Sequence, residues 1–166
     1  MKKVIDVQIG EVRAEQGKAI LKSKAIGSCI AIAAYDATKN IAALAHVMML
    51  GSAPVNKEPH EKTKYAADAI DAIVGRMARL GSKDDDIEVV LVGAGNVLHR
   101  EDDTICRDNI ESVIELLRKK HLKIRARAVG GTSRRSVSLD VEHGIISCTE
   151  GDGSEMQLWR AQASAE

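Results

Sequence analysis

Apolar and polar positions divide the chain into short alternating segments, two amphipathic stretches and one long uncharged run. The uncharged run extends from Ala25 to Tyr35 and is followed, after the polar turn signal Asp36-Ala37-Thr38-Lys39-Asn40, by a second run from Ile41 to Asn56. Two β-like segments joined by a short polar loop read as a hairpin. Ahead of it, Lys3 to Ile9 alternates weakly, and Ala19 to Ile26 reads as the strand that delivers the chain to Gly27. Behind it, Gly51 to Lys62 carries both prolines and reads as a long exposed connection, the most mobile part expected, with the length of a lid or binding edge.

Apolar residues recur at helical spacing from Thr63 to Leu80 (Ala66, Ala69, Ile70, Ile73, Val74, Met77), and Gly81 is placed as a stop. A second helix is predicted after Asp102-Asp103, through Ile105, Cys106, Ile110, Val113, Ile114 and Leu117. Acids stand in its first turn and Arg118-Lys119-Lys120 in its last, as the helix dipole favours. Ile87 to Val92 suits a buried strand, Leu122 to Val129 alternates, and Val137 to Val141 with Ile145 to Thr149 flank Glu142-His143-Gly144 as a closing hairpin. From Gly151 the pattern is weak apart from Met156, Leu158 and Trp159. Strands, then helices alternating with strands, then a hairpin predict an α/β (α+β) sandwich with mixed, largely antiparallel sheets and two main helices.

The uncharged hairpin also holds the best candidate chemistry. If Tyr35 faces Asn40, counting back sets Cys29 opposite His46, with Cβ atoms about 4.5–5.5 Å apart. A thiol and an imidazole at that distance can share a proton, which is what an activated cysteine nucleophile needs. The bland alternative is a buried thiol beside a satisfied core histidine, and a one-residue slip of register would separate the pair. Ser23 reads as a ladder-bonded or solvated strand hydroxyl unless the Gly27-Ser28 bend returns it to the pocket. Gly93-Ala94-Gly95-Asn96 resembles a dinucleotide fingerprint, but Leu98 stands where the third glycine belongs, so the phosphate reading fails. Cys106 reads as core-facing. Asp84-Asp85-Asp86 reads as a solvated turn, and Gly130 to Arg135 as a flexible basic loop that grips an anion or a partner's carbonyl or, the commoner outcome, is simply solvated.

Composition narrows the classes. At 166 residues the chain reads as one domain, 1–166, with a core of Ala, Val, Ile, Leu and Met, since it has no Phe, one Trp and two Tyr. Lys+Arg and Asp+Glu are both 24, so no basic excess argues for nucleic acid. Met1-Lys2-Lys3 is followed by an interrupted run of no signal length, and no segment reaches the ~20 apolar residues of a membrane span, so no membrane insertion is expected. Three widely spaced cysteines, Cys29, Cys106 and Cys148, predict reduced thiols in a cytoplasmic protein. A metal site drawn from His46, His60, His99 or Asp102 lacks any recognised ligand spacing.

Gly27-Ser28-Cys29, with His46 inside Ala45-His46-Val47-Met48, resembles the CheD family of chemoreceptor glutamine deamidases. The likeness continues through Lys64-Tyr65-Ala66-Ala67-Asp68, Gly93-Ala94-Gly95-Asn96, Ile105 with Asn109, and Gly130-Gly131 with Arg135-Ser136-Val137. The resemblance implies catalytic Cys29 and His46, and a third member that is usually threonine and here is Ser23, which keeps the hydroxyl and loses a methyl. Backbone N–H groups around Gly27 and Ser28 are then candidates for holding an oxyanion. It further implies glutamine side chains of methyl-accepting chemotaxis receptors as substrate, a CheC-type phosphatase as partner, and chemistry without metal or organic cofactor. Two rivals stay open: a non-catalytic module that docks on a CheC-type phosphatase or a receptor, and a cysteine hydrolase acting on another amide.

Overall fold

The computed structural model describes residues 2–102 and 104–162; Asp103, expected in the first turn of the second helix, and Met1 lie outside them. In chain order the strands are β1 (Lys3–Asp6), β2 (Val12–Gln16), β3 (Ala19–Ile26), β4 (Ile30–Asp36) and β5 (Ile41–Val47). Then come α1 (Pro59–Lys62), α2 (Ala66–Leu80), β6 (Ile87–Gly93) and α3 (Thr104–Lys119). β7 (Lys123–Val129), β8 (Arg135–Asp140), β9 (Ile145–Glu150) and β10 (Met156–Arg160) follow.

The strands form two five-stranded sheets, ordered β1-β3-β8-β9-β10 and β2-β5-β4-β6-β7. β1 with β3 and β6 with β7 pair parallel; the other pairs are antiparallel. The expected sandwich is therefore present. Strands β4 and β5 are buried at every position, because the second sheet is covered on both faces. Alternation then sorts their side chains. Ile30, Ile32, Ala34, Ile41, Ala43 and Ala45 pack with Ile70, Ile73, Met77, Val113 and Leu117 of the helices. Ala31, Ala33, Tyr35, Ala42 and Leu44 meet Leu21, Val137, Leu139 and Ile146 of the first sheet.

Helix α2 ends where the sequence predicts: Gly81 adopts φ 115, a left-handed conformation suited to glycine, and its N–H returns to the carbonyls of Met77 and Ala78. The long connection after β5 is mostly exposed but pinned to α2, through Ala66 N–H to Met49 O (3.0 Å), Ala67 N–H to Gly51 O (2.8 Å) and Ala53 N–H to the Asp68 carboxylate (2.7 Å).

Two strands escape the sequence reading. β2 offers only Val12 and Ala14 on its inner face, too few to register as alternation. In β10 a bulge between Gln157 and Trp159 breaks the two-residue period.

The β4–β5 hairpin departs from the expected register. Asp36 faces Ile41 and Ala31 faces His46, so the loop is Ala37 to Asn40, moved one residue along. Side-chain chemistry explains the move. The Asp36 carboxylate takes the Thr38 N–H (2.9 Å) and hydroxyl (2.6 Å). Asn40 adopts φ 53, and its amide reaches Glu142 O (2.6 Å) and the Tyr35 hydroxyl (3.1 Å). Displacing the turn by one residue on each strand shifts the partner of every residue by two. Parity is kept, so no side chain changes face.

Candidate active site

The bend Gly27-Ser28-Cys29 is where the chain leaves the first sheet on β3 and enters the second on β4. The crossing is prepared by an irregularity in β3 between Ser23 and Ile26, with Ala25 at φ 54, a left-handed conformation that costs free energy for a residue bearing a Cβ. Three carbonyls then tie the bend down. Gly27 O accepts from Gly95 N–H (2.9 Å), Cys29 O from Ala94 N–H (2.7 Å), and Ser28 O from the Asn109 side-chain amide (3.2 Å). Among the described residues none of the amide N–H groups of Gly27, Ser28 and Cys29 donates a hydrogen bond. They are unspent donors beside the thiol.

Gly93 makes this close approach possible. It sits at φ 119, and a Cβ there would lie 2.5 Å from Ile26 Cγ2 and 2.6 Å from Cys29 O. Arg135 braces the same corner. Its buried guanidinium donates to Gly93 O (3.1 Å), Gly130 O (2.7 Å) and the Glu150 carboxylate (3.0 Å). Within the basic loop Arg134 is exposed, as a solvated turn would have it, whereas Arg135 turns inward onto carbonyls of its own chain, an outcome the sequence reading did not include.

His46 lies on the face of β5 that meets the first sheet and is 2 % exposed. Cys29, half-buried, packs against the same intersheet core one pleat before Ala31, the residue opposite His46. Cys29 and His46 thus share a face in diagonal register, not as the directly opposed pair expected, and the thiol makes no hydrogen bond to Nε2. Ser23, also buried, is brought in from β3. Its Oγ is 2.8 Å from Val7 O and 2.8 Å from His46 Nδ1. A carbonyl only accepts, and a hydroxyl has one proton. Ser23 therefore donates to Val7, and His46 Nδ1–H donates to Ser23. That leaves the lone pair on Nε2, which is buried and has no hydrogen-bond partner among the described residues.

Electrostatics follow from burial. It pushes the Cys29 thiol above and the His46 imidazole below their ordinary pKa values, with no charged neighbour acting on either. The resting pair is a neutral thiol and a neutral imidazole. A lowered resting thiol pKa, the usual mark of an activated cysteine, is absent here.

Two cavities lie near these residues, one touching His46 and one touching Ser28, and Cys29 lines neither. One of about 320 Å³ is lined by Asp6, Val7, Gln8, Lys22, Lys24 and His46. The other, about 130 Å³, lies between Ser28, Gly95–Leu98 and the start of α3, where the buried Cys106 thiol meets Gly95 O at 3.4 Å. His60, His99 and Asp102 are exposed, and among the described residues no three His, Cys, Asp or Glu side chains gather as a metal site.

Sequence reasoning brought Cys29, His46 and Ser23 into view but assigned no task to Asn109, Arg135 or Val7. Asn109 had left a signal, an amide on the helix face that also buries Cys106, Val113 and Leu117. Val7 had none, because it acts through its main chain.

Comparison with known proteins agrees with the resemblance. Residues 49–150 match the family model described as CheD chemotactic sensory transduction. That region begins after Cys29 and His46, so the match does not depend on either of them. A probable chemoreceptor glutamine deamidase CheD of Chlorobium luteolum is 36% identical over 150 residues, covering 90% of this chain and 74% of that protein. The chemoreceptor glutamine deamidase CheD of Thermotoga maritima is 29% identical, covering 95% of this chain and 98% of its own. Among solved structures, the hypothetical protein YfiH of Bacillus licheniformis aligns with a TM-score of 0.38 and 17% identity, over 74% of this chain and 50% of that one.

Proposed function

This chain belongs to the CheD family, and from that premise we propose that it deamidates glutamine side chains of chemotaxis receptors to glutamate, with Cys29 as nucleophile and His46 as base. The observation that carries the reading is the unpaired Nε2 of His46, oriented by Ser23 on the same face as a half-buried thiol. A satisfied core histidine has no buried nitrogen left over.

The proposed steps start from this arrangement. Cys29 Sγ attacks the carboxamide carbon of the glutamine while its proton passes to His46 Nε2. Because both groups rest neutral, transfer accompanies attack instead of preceding it. The carbonyl oxygen becomes an oxyanion, for which the N–H groups of Gly27, Ser28 and Cys29, not engaged in hydrogen bonds among the described residues, serve as donors. The imidazolium then gives its proton to the departing ammonia, leaving a thioester. Water, deprotonated by Nε2, attacks the thioester carbon, and the proton returns to sulfur as glutamate leaves. Every proton is accounted for within the pair.

Ser23 is proposed as the positioning member. The reading also takes a CheC-type phosphatase as binding partner, and the cytoplasm, where the receptors' signalling helices stand, as the site of action. No helix among the described residues is long and apolar enough to cross a membrane.

Mass spectrometry of purified receptor fragments is the direct test. Incubation with this protein should add about one dalton per modified glutamine, and Cys29→Ala should add none. Full conversion by Cys29→Ala would end the covalent mechanism. Iodoacetamide should label Cys29 before the buried Cys106 and Cys148; equal labelling would favour a docking module with an idle thiol.

A further inference from the structure

The Ser23 hydroxyl can serve His46 in two opposite ways, by donating to Nδ1 or by accepting from it. Only the second leaves Nε2 as a base. Nothing in a serine selects between them. What selects is the other group at hydrogen-bond distance from the same oxygen, the Val7 main-chain carbonyl at 2.8 Å. We propose that the Val7 carbonyl is a positioning group of the site: by taking the Ser23 proton it fixes His46 in the tautomer that leaves Nε2 free to act.

The inference rests on His46 being the base, and it makes the segment after β1 part of the catalytic apparatus. Val7 is held there independently of Ser23. Its N–H donates to Lys22 O at 2.7 Å, and its side chain is buried in the intersheet core. β1 itself is an edge strand of four residues, paired with β3 alone. Lys2, just before it, is tied to Asp140 (2.7 Å) and Glu142 (3.2 Å). The cavity of about 320 Å³ that touches His46 runs beneath this same segment, between Asp6–Ile9 and Lys22–Ala25. Lifting the segment would remove the acceptor without touching any reacting group.

The arrangement also explains why a hydroxyl, and not the carboxylate common in other triads, suits position 23. A carboxylate there would face the Val7 carbonyl oxygen, acceptor against acceptor. Ser23→Asp should therefore be a worse orienter than serine, whereas Ser23→Thr, which keeps the hydroxyl, should keep the tautomer.

The test replaces the amide between Val7 and Gln8 by an ester, using an α-hydroxy acid at position 8, which weakens the carbonyl as an acceptor. The ester also deletes the Gln8 N–H bond to the Glu11 carboxylate (2.8 Å), so Glu11→Ala serves as the control that removes that bond alone. Two quantities are read. The ¹⁵N shifts of the His46 ring report the tautomer without any substrate, and kcat reports its consequence. The wild type, Ser23→Thr and Glu11→Ala should all show Nδ1–H. The ester should gain the Nε2–H form and lose roughly tenfold in kcat, the worth of one net hydrogen bond.

An Nε2–H imidazole in the wild type would overturn the proposal. So would an ester protein with the wild-type tautomer, whether or not its kcat falls, since a loss without a tautomer change is structural. Because the shifts need no substrate, failure of the deamidase reading would leave this outcome separately visible.

Discussion

The second sheet has two faces, and they are built on different terms. The helix-facing core is packed by Ile30, Ile32, Leu91, Ile70, Ile73 and Met77, all fully buried, and the buried polar side chains on that side, Asp36, Ser82 and Asn109, are each hydrogen-bonded. The intersheet core is no less dry, yet Ser23, His46 and the Tyr35 hydroxyl lie on that side. Buried polar groups cost free energy unless bonded, and those on this side are bonded almost to the last atom. Tyr35 donates to Val141 O at 2.8 Å and Ser23 to Val7 O at 2.8 Å, and His46 Nδ1 to Ser23. His46 Nε2 is the exception. The contrast separates what holds the protein together from what it does: one face leaves no buried polar side chain unmet among the described residues, and the other keeps a single unmet acceptor where chemistry is proposed.

That division can be broken from either side. The largest effect on turnover short of removing the sulfur should come from His46→Ala, about 100–10,000-fold in kcat, the usual span for a general base. Its folding midpoint should fall less than that of a core truncation, because the lost Ser23 bond and ring volume are offset in part by discarding the unpaired Nε2; a loss as large as that of Leu91→Ala would make His46 a packing residue. Leu91→Ala on the opposite face should do the reverse, costing about 2–5 kcal/mol in denaturant unfolding while the folded fraction keeps its kcat.

Ser23→Ala should fall between the two, with a partial loss of activity. It removes one hydrogen bond to the imidazole and leaves Val7 O without its donor, for about 1–3 kcal/mol of stability.

The smallest effect is a displacement along the pH axis. His46 must be deprotonated to accept the thiol proton, and burial lowers its pKa. The acid limb of kcat/KM should therefore lie on the acid side of the ordinary histidine value, and activity should persist below it. A limb at or above that value would mean that a nearby anion, not burial, governs the imidazole.

How far the sequence reached differs between these faces. The helix-facing core was legible because helix and strand periodicities are properties of consecutive residues: Ala66 to Met77 and Ile87 to Val92 announced themselves. Placing Cys29 and His46 on one face was also within reach, since it needed only parity, and parity survived a turn that formed one residue later than counting suggested. Their diagonal relation was not, because it depends on what Asp36 and Asn40 bond to. The long-range tasks of Val7, Asn109 and Arg135 were out of reach for a different reason. Each acts on main-chain atoms, or through them, and a carbonyl carries no trace of its role in the one-letter code.

Position 93 has a practical meaning of its own. With the Cys29 carbonyl and the Ile26 side chain both inside the space a β-carbon needs, this spot acts as a mechanical stop behind the sulfur-bearing bend. A single methyl there would make a decoy: every proposed reacting group kept, with the Cys29 bend pushed out of place. Such a protein would let receptor capture be studied apart from turnover, something deleting the sulfur cannot offer, because that also changes the surface a substrate meets.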